Sequence, residues 1–260
     1  MIEGDLSSAS ITDGLETGFI GQRVLYYSSV TSTMDVARRA AQKKAPEGTV
    51  VIADEQTLGR GRIKRAWLTP PGSSIAMSLI LYPAVAYLPY LIMVASLSVL
   101  RGIKSTTGLQ PQIKWPNDVL IDGKKVCGIL IENAVRGNTV DYAIIGIGIN
   151  VNLNVADFPE IAAVATSLSR ELGADVSRPG IVRGVLVEME KLYRALGQEN
   201  DVFQEWRDNL VTLGKRVRVS ADSFVHDGIA ESVSPDGSLH LRTQDGSLIR
   251  VLAEDVTLRA

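Results

Sequence analysis

Two short stretches gather the groups best suited to chemistry. Gly59-Arg60-Gly61-Arg62-Ile63-Lys64-Arg65 sets four cations among seven residues, with glycines that let backbone amides approach a ligand closely. Guanidinium forks match carboxylate and phosphate oxygens, so this segment is suited to oxyanions. Its plainer role is a solvated basic loop, and Trp67 just beyond it either caps a ligand or anchors the loop. Lys114-Trp115-Pro116-Asn117-Asp118 joins a cation to two oxygen-bearing side chains that suit phosphate and a hard cation such as Mg²⁺. Asn and Asp also favour turns, so a turn between strands is the alternative. Lys124 and Lys125 precede VCGILIE, and whichever ammonium points inward stands at the mouth of a buried strand. Cys127, flanked by apolar residues and without a His neighbour, reads as core rather than nucleophile. Gly146, Gly148 and Asn150 only loosely resemble a phosphate loop: the dinucleotide fingerprint does not continue past them, and no Walker A sequence occurs.

These residues need a scaffold, and the hydrophobic pattern predicts one. VLYYSSV (24–30) is a β-rich run, and Ser32 followed by Asp35 is a capping-box-like start for a short amphipathic helix to about residue 45. TVVIAD reads as a buried strand and leads into the Gly/Arg loop. SSIAMSLILY has strand length, and LPYLIMVASLSVLRGI reads as a helix with Pro89 near its first turn. Asp122-Gly123 sits between two apolar runs as a hairpin turn, and DYAIIGIGINVN is a further strand. Strands joined by tight turns predict a mainly antiparallel or mixed sheet with helices on one side. Helices follow at about 179–197, with apolar residues at Ile181, Val185, Leu186, Met189 and Leu192, and at about 202–210. From Gly214 the segments are short and alternating, punctuated by Ser-Pro-Asp-Gly and Gln-Asp-Gly, which predicts a small all-β domain leaning on the larger one.

The 260 residues suffice for one large domain or a medium one with a small companion. Lys plus Arg number 27 against 29 Asp plus Glu, so no global positive field gathers a phosphate backbone. A single cysteine excludes an internal disulfide, and with two histidines there is no thiolate or imidazole cluster for zinc; a reducing, cytoplasmic setting is expected. Residues 68–100 carry no charge, but Pro83 and Pro89 divide them into strand and helix, so no membrane span is expected. The first residues lack a signal peptide's basic head and apolar run, and 1–15 read as a flexible tail.

Taken in order, Ser32-Thr33, Gln56, GRGRIKRAW, KWPNDV, Lys125 with CGILIE, GIGINVN and the small β-domain resemble the biotin protein ligases, over nearly the whole chain from about residue 16. The resemblance implies an α+β fold: a mixed, mainly antiparallel sheet flanked by helices, similar to the class II aminoacyl-tRNA synthetases and the biotin/lipoate ligases, at 16–212. A small Src-homology-like β-barrel follows at 213–260. It implies that biotin and ATP form biotinyl-5′-adenylate and pyrophosphate, and that biotin then passes to one lysine of a biotin carboxyl carrier protein. By the same resemblance Ser32, Thr33, Gln56, Gly59, Arg60, Arg62, Lys125 and Gly128 bind biotin. Arg62, Arg65, Trp67, Lys114, Asn117 and Asn150 meet ATP or the adenylate, and Asn117 and Asp118 help place Mg²⁺. Lys125 is the essential lysine, Arg60 assists it, and Asp118 helps deprotonate the incoming amine. Two positions depart from the family pattern: Met34 stands where Asn is frequent, and Ile63-Lys64-Arg65 where many members read Arg-Gly-Arg. Ile63 is accordingly expected to make an apolar contact when the loop closes. A side-by-side homodimer is implied. The DNA-binding domain of bifunctional members is not expected, because the chain reaches Ser32 too soon; no nucleic-acid partner is expected either. The alternatives are a lipoate-type ligase, whose Arg-Arg-x-x-Gly-Gly-Gly-x-Val-like block is absent here, and a non-catalytic biotin-binding regulator.

Overall fold

Long apolar runs become the interior layer: 74–81 is buried at every position, and 143–147 likewise. In the computed structural model, which describes residues 5–64, 66–198, 202–221, 224–253 and 257–259, these runs are neighbouring strands of one seven-stranded sheet. Its strands are Val24–Val30 (β1), Val50–Gln56 (β2), Ser74–Leu81 (β3), Gln112–Lys114 (β4), Asp118–Ile121 (β5), Lys124–Arg136 (β6) and Thr139–Asn150 (β7). Their spatial order is β1-β2-β3-β7-β6-β5-β4. Only β1 and β2 run parallel; every other pair is antiparallel, as the tight turns predict. At the Asp122-Gly123 turn both residues have positive φ, 48° and 77°, the backbone that joins β5 to β6 in two residues.

Among the described residues, six α-helices accompany the sheets: Ser8–Thr12 (α1), Thr33–Gln42 (α2), Leu91–Thr107 (α3), Leu168–Leu172 (α4), Arg178–Ala195 (α5) and Val202–Asp208 (α6). Ser32 is the residue that starts α2, but its hydroxyl makes no capping bond. The expected capping box is therefore absent, since the Asp35 carboxylate turns to two arginines instead. Pro89 lies inside a short 3₁₀ helix, Val85–Tyr90, that leads directly into α3, so it stands before the α-helical hydrogen bonds of α3 begin. Together the two form the one helical stretch among the described residues with the length and apolarity to cross a bilayer. Much of it is core: Leu91, Met93, Val94, Leu97 and Ile103 are inaccessible, in the same apolar core as Ile181, Val185 and Met189 of α5.

The expectation of a flexible tail fails over residues 5–15. Ser7 and Ser10 cap α1 reciprocally, Ile11 is fully buried, and Arg183 of α5 donates to the Ser10 carbonyl at 2.5 Å. Residues 1–4 lie outside the described residues. The C-terminal segments form a five-stranded antiparallel sheet of Arg216–Ala221 (β8), Phe224–Val233 (β9), Leu239–Thr243 (β10), Leu248–Val251 (β11) and Thr257–Arg259 (β12), ordered β11-β10-β9-β8-β12. It is fastened to the large sheet through Trp115, whose indole N–H donates to the Gly237 carbonyl at 2.9 Å and whose amide donates to Thr212 Oγ1 at 2.9 Å.

Candidate active site

The floor of the site is sheet. Lys125, not Lys124, is the inward ammonium: it lines a cavity of about 270 Å³ that reaches from α2 to the C-terminal sheet. Its backbone is fixed on the edge facing away from β5, beyond the last residue that β7 pairs, where its amide donates to the Val164 carbonyl at 2.8 Å and its carbonyl accepts from Thr166 at 2.9 Å. The ammonium lies 2.5 Å from Asp118 Oδ1 and 5.4 Å from the centre of the Trp67 ring. This arrangement holds a cation in place over an aromatic face. Trp67 lies directly on the sheet: a Cβ at Gly148 would collide with its indole, and one at Gly128 would come within 3.0 Å of both Trp67 and Lys125 Nζ. Glycine at these positions makes room for the ring. The indole N–H is buried with no hydrogen-bond partner among the described residues, a donor that a polar ligand can satisfy.

At the α2 end, Thr33 and Gln56 form a fixed polar corner. Gln56 Oε1 accepts from the Thr33 amide at 2.8 Å and its hydroxyl at 3.1 Å, and Ser78 donates to Thr33 Oγ1 at 2.8 Å. Met34 is buried against Gly146 in the same wall, so the position where Asn is frequent contributes a thioether. Above the cavity runs the Gly/Arg loop, closed at its stem by the Trp67 amide donating to the Gly59 carbonyl at 2.9 Å. Arg60 donates to both oxygens of Asp35, at 2.9 and 2.7 Å. The Arg60 hydrogen bond, with the charges of Arg60 and Arg38, holds the Asp35 carboxyl below the usual carboxylate range despite partial burial. Arg62 reaches the other way, to Asn117 Oδ1 at 3.0 Å and to the Ala253 carbonyl of the C-terminal segment.

Of the residues expected at the site, Ser32, Thr33, Gln56, Arg60, Arg62, Trp67, Lys114, Asn117, Asp118, Lys125, Gly128 and Asn150 all line the one cavity. Gly59 does not; it lets the loop stem close, because a Cβ there would strike the Trp67 carbonyl. Arg65 lies outside the described residues. Ile63 is half exposed in the left-handed region at φ 52°. Cys127 is inaccessible, and burial pushes its thiol up, which fits a core side chain. Sequence reasoning missed the wall contributed by Leu153, Ile161 and Ala165, and Leu258 from the C-terminal sheet, which share no motif with the loop. It also missed Asp35 and Glu132 as partners of Arg60, and Arg38 as the second cation that those carboxylates share.

As a metal site the residues fit only in part. Asn117 is engaged on both sides, accepting from Arg62 and donating to the Ile129 carbonyl at 2.9 Å. Asp118 is thus the one carboxylate of the expected pair, and no cluster of three or more metal-ligating side chains occurs among the described residues. That suits magnesium carried in on nucleotide phosphates, not a protein-built cage.

A family model described as biotin/lipoate A/B protein ligase matches residues 26–150, a span that holds every site residue expected from the sequence, from Ser32 to Asn150. The bifunctional ligase/repressor BirA of Bacillus subtilis is 38% identical over 260 residues, covering 98% of this chain and 80% of that protein. The biotin–[acetyl-CoA-carboxylase] ligase of Mycobacterium tuberculosis is 32% identical over 264 residues, covering 96% and 95%. Among solved structures, the biotin protein ligase of Aquifex aeolicus in complex with biotin and ATP superposes with a TM-score of 0.78 at 28% identity, over 92% of this chain and 99% of that one. With sheet, loop and cavity in agreement, the chain belongs to the biotin/lipoate A/B protein ligase family.

Proposed function

We propose that the cavity takes biotin and ATP together and that the chain is a biotin protein ligase. In the first step a biotin carboxylate oxygen attacks the α-phosphorus and pyrophosphate leaves; in the second, a lysine amine of a biotin carboxyl carrier protein attacks the acyl carbon, AMP leaves and the amine loses a proton. The observation that carries this reading is the inward Lys125 ammonium, fixed by Asp118 and Trp67 in a cavity that also receives Arg62 and Lys114. Bringing two anions together is the difficulty of the first step, and preorganised cations in a partly dry site are its remedy. Thr33 and Gln56 give the ureido end of biotin a polar corner, and Gly128 and Gly148 let the Trp67 indole lie flat on the sheet beside it. Asp118, paired with Lys125, accepts the proton of the acceptor amine. Magnesium arrives with ATP. The curated name of the M. tuberculosis relative, an acetyl-CoA-carboxylase ligase, supports a carboxylase carrier domain as partner. Pairing of two copies along a sheet edge, β1 or β4, and a cytoplasmic setting suited to the single cysteine belong to the same proposal.

The test is pyrophosphate release with ATP and Mg²⁺ and either biotin or lipoate, alongside Lys125→Ala. Biotin-dependent release that falls about 100- to 1000-fold in the variant is expected. Release with lipoate alone, or with neither acid, would overturn the reading.

A further inference from the structure

One wall of the cavity carries a closed ring of charge that the adenylation chemistry does not use. Arg60 lies bidentate on Asp35 at 2.9 and 2.7 Å and reaches Glu132 Oε1 at 3.4 Å. Arg38 donates to Asp35 Oδ1 at 2.8 Å and to the other oxygen of Glu132. Two guanidiniums and two carboxylates thus close a ring drawn from the first turns of α2, from β6 and from the loop. All four side chains are about a third exposed, at 27–34%. The fork of Arg60 is therefore already filled by protein carboxylates, the geometry that gives an arginine pair its directional hold. Two residues on, Arg62 is drawn to Asn117 and the Ala253 carbonyl. The arm 59–62 is tethered by successive arginines to different partners, and Arg62 is the one carried to the Asn117 side of the cavity.

We infer that Asp35 and Glu132 are positioning residues: they hold Arg60, and through it the arm 59–62, so that Arg62 stands beside Asn117 and Lys125 where the acid and the nucleotide meet. The inference rests on the ligase reading of the site. It gives Arg60 a role through the loop instead of direct contact with the reacting carboxylate. The four partners belong to no contiguous motif, since Asp35 and Arg60 are 25 residues apart and Arg60 and Glu132 are 72 apart.

The experiment is limited trypsin digestion of the full ligand-free chain, whose loop offers Arg60, Arg62, Lys64 and Arg65 as cleavage sites, on wild type, Asp35→Asn, Glu132→Gln and Asp35→Glu. Cleavage within the loop tracks the fraction of molecules in which the arm is released. Asp35→Asn is expected to speed it about fivefold, and Glu132→Gln about twofold, the range for partly exposed ion-pair networks. Asp35→Glu, which keeps the charge, returns to within about twofold of wild type. On the same proteins the apparent KM for biotin rises about fivefold in Asp35→Asn, while pyrophosphate release at saturating biotin stays within about twofold. Melting midpoints measured in parallel separate arm release from global unfolding. An unchanged cleavage rate in both neutral variants, or an Asp35→Glu protein as susceptible as Asp35→Asn, would overturn the inference. Wild type that releases no pyrophosphate with biotin would strike the ligase reading alone, and the cleavage ratios still decide whether the ring holds the arm.

Discussion

Carboxylates hold two loops of this protein, and they do so in opposite ways. Glu190 of α5 accepts three backbone amides, from Gly18, Phe19 and Ile20, at 2.8–2.9 Å, and is nearly buried. Although burial works the other way, those amides and the charge of Arg194 hold its carboxyl below the usual range. Asp35 and Glu132 instead hold a side chain, Arg60, and remain about a third exposed. Three backbone amides converge on one nearly buried carboxylate, and losing it would leave all three without their acceptor, so the 18–20 segment is held as fixed structure. A guanidinium on carboxylates about a third exposed can be exchanged for water or for an anionic ligand at small cost. The first arrangement suits a fixed wall, the second a loop that has to admit and release substrates.

Breaking the permanent loop has the largest expected effect on stability. Glu190→Ala leaves three amides without their acceptor and is expected to cost about 2–3 kcal/mol, read as a lowered midpoint in denaturant melts, with pyrophosphate release per folded molecule unchanged. A cost below about 0.5 kcal/mol would make the two loops alike.

Salt sharpens the contrast further. Raising ionic strength from about 0.05 to 0.5 M shortens the screening length severalfold, so tryptic cleavage of the 59–67 loop is expected to rise about two- to threefold while the global melting midpoint hardly moves. The smallest effect concerns pH. Because the folded Asp35 carboxyl is depressed, its stabilisation is fully present above its unfolded value and is lost only as pH falls through the lower folded one. The difference in melting midpoint between wild type and Asp35→Asn should therefore stay constant from pH 8 to 5. It should shrink below about pH 4; a difference that changes between pH 8 and 5 would point to another group.

The same contrast explains what could be read in advance. β1, β2, β3 and β7 announce themselves as apolar runs, and the Asp122-Gly123 and Ser-Pro-Asp-Gly turns set where the chain reverses. The loop cations and Lys125 were visible as residue types, because oxyanion chemistry needs them whatever the fold. Which groups they meet was not visible. Arg62 finds the Ala253 carbonyl 191 residues away, and Arg60 finds Glu132 only through the register of β6. Ser32 and Asp35 carry the spacing of a capping box, yet a nearby arginine pair outcompetes the backbone for the carboxylate. The N-terminal segment misled for a different reason: Leu6 and Ile11 are two apolar residues in a polar run, too few to show a stripe, and the surface they pack on comes from distant elements, with α1 lying against both α5 and β1.

The most direct test of the account is the stoichiometry of pyrophosphate release from wild type with biotin, ATP and Mg²⁺, first without and then with a purified biotin carboxyl carrier domain. The account predicts a burst of about one pyrophosphate per site that stops until the carrier is added and then turns over, the behaviour expected of a loop that retains the adenylate. Continuous release without carrier would contradict a loop that seals the intermediate, and no release with biotin would contradict the ligase assignment itself.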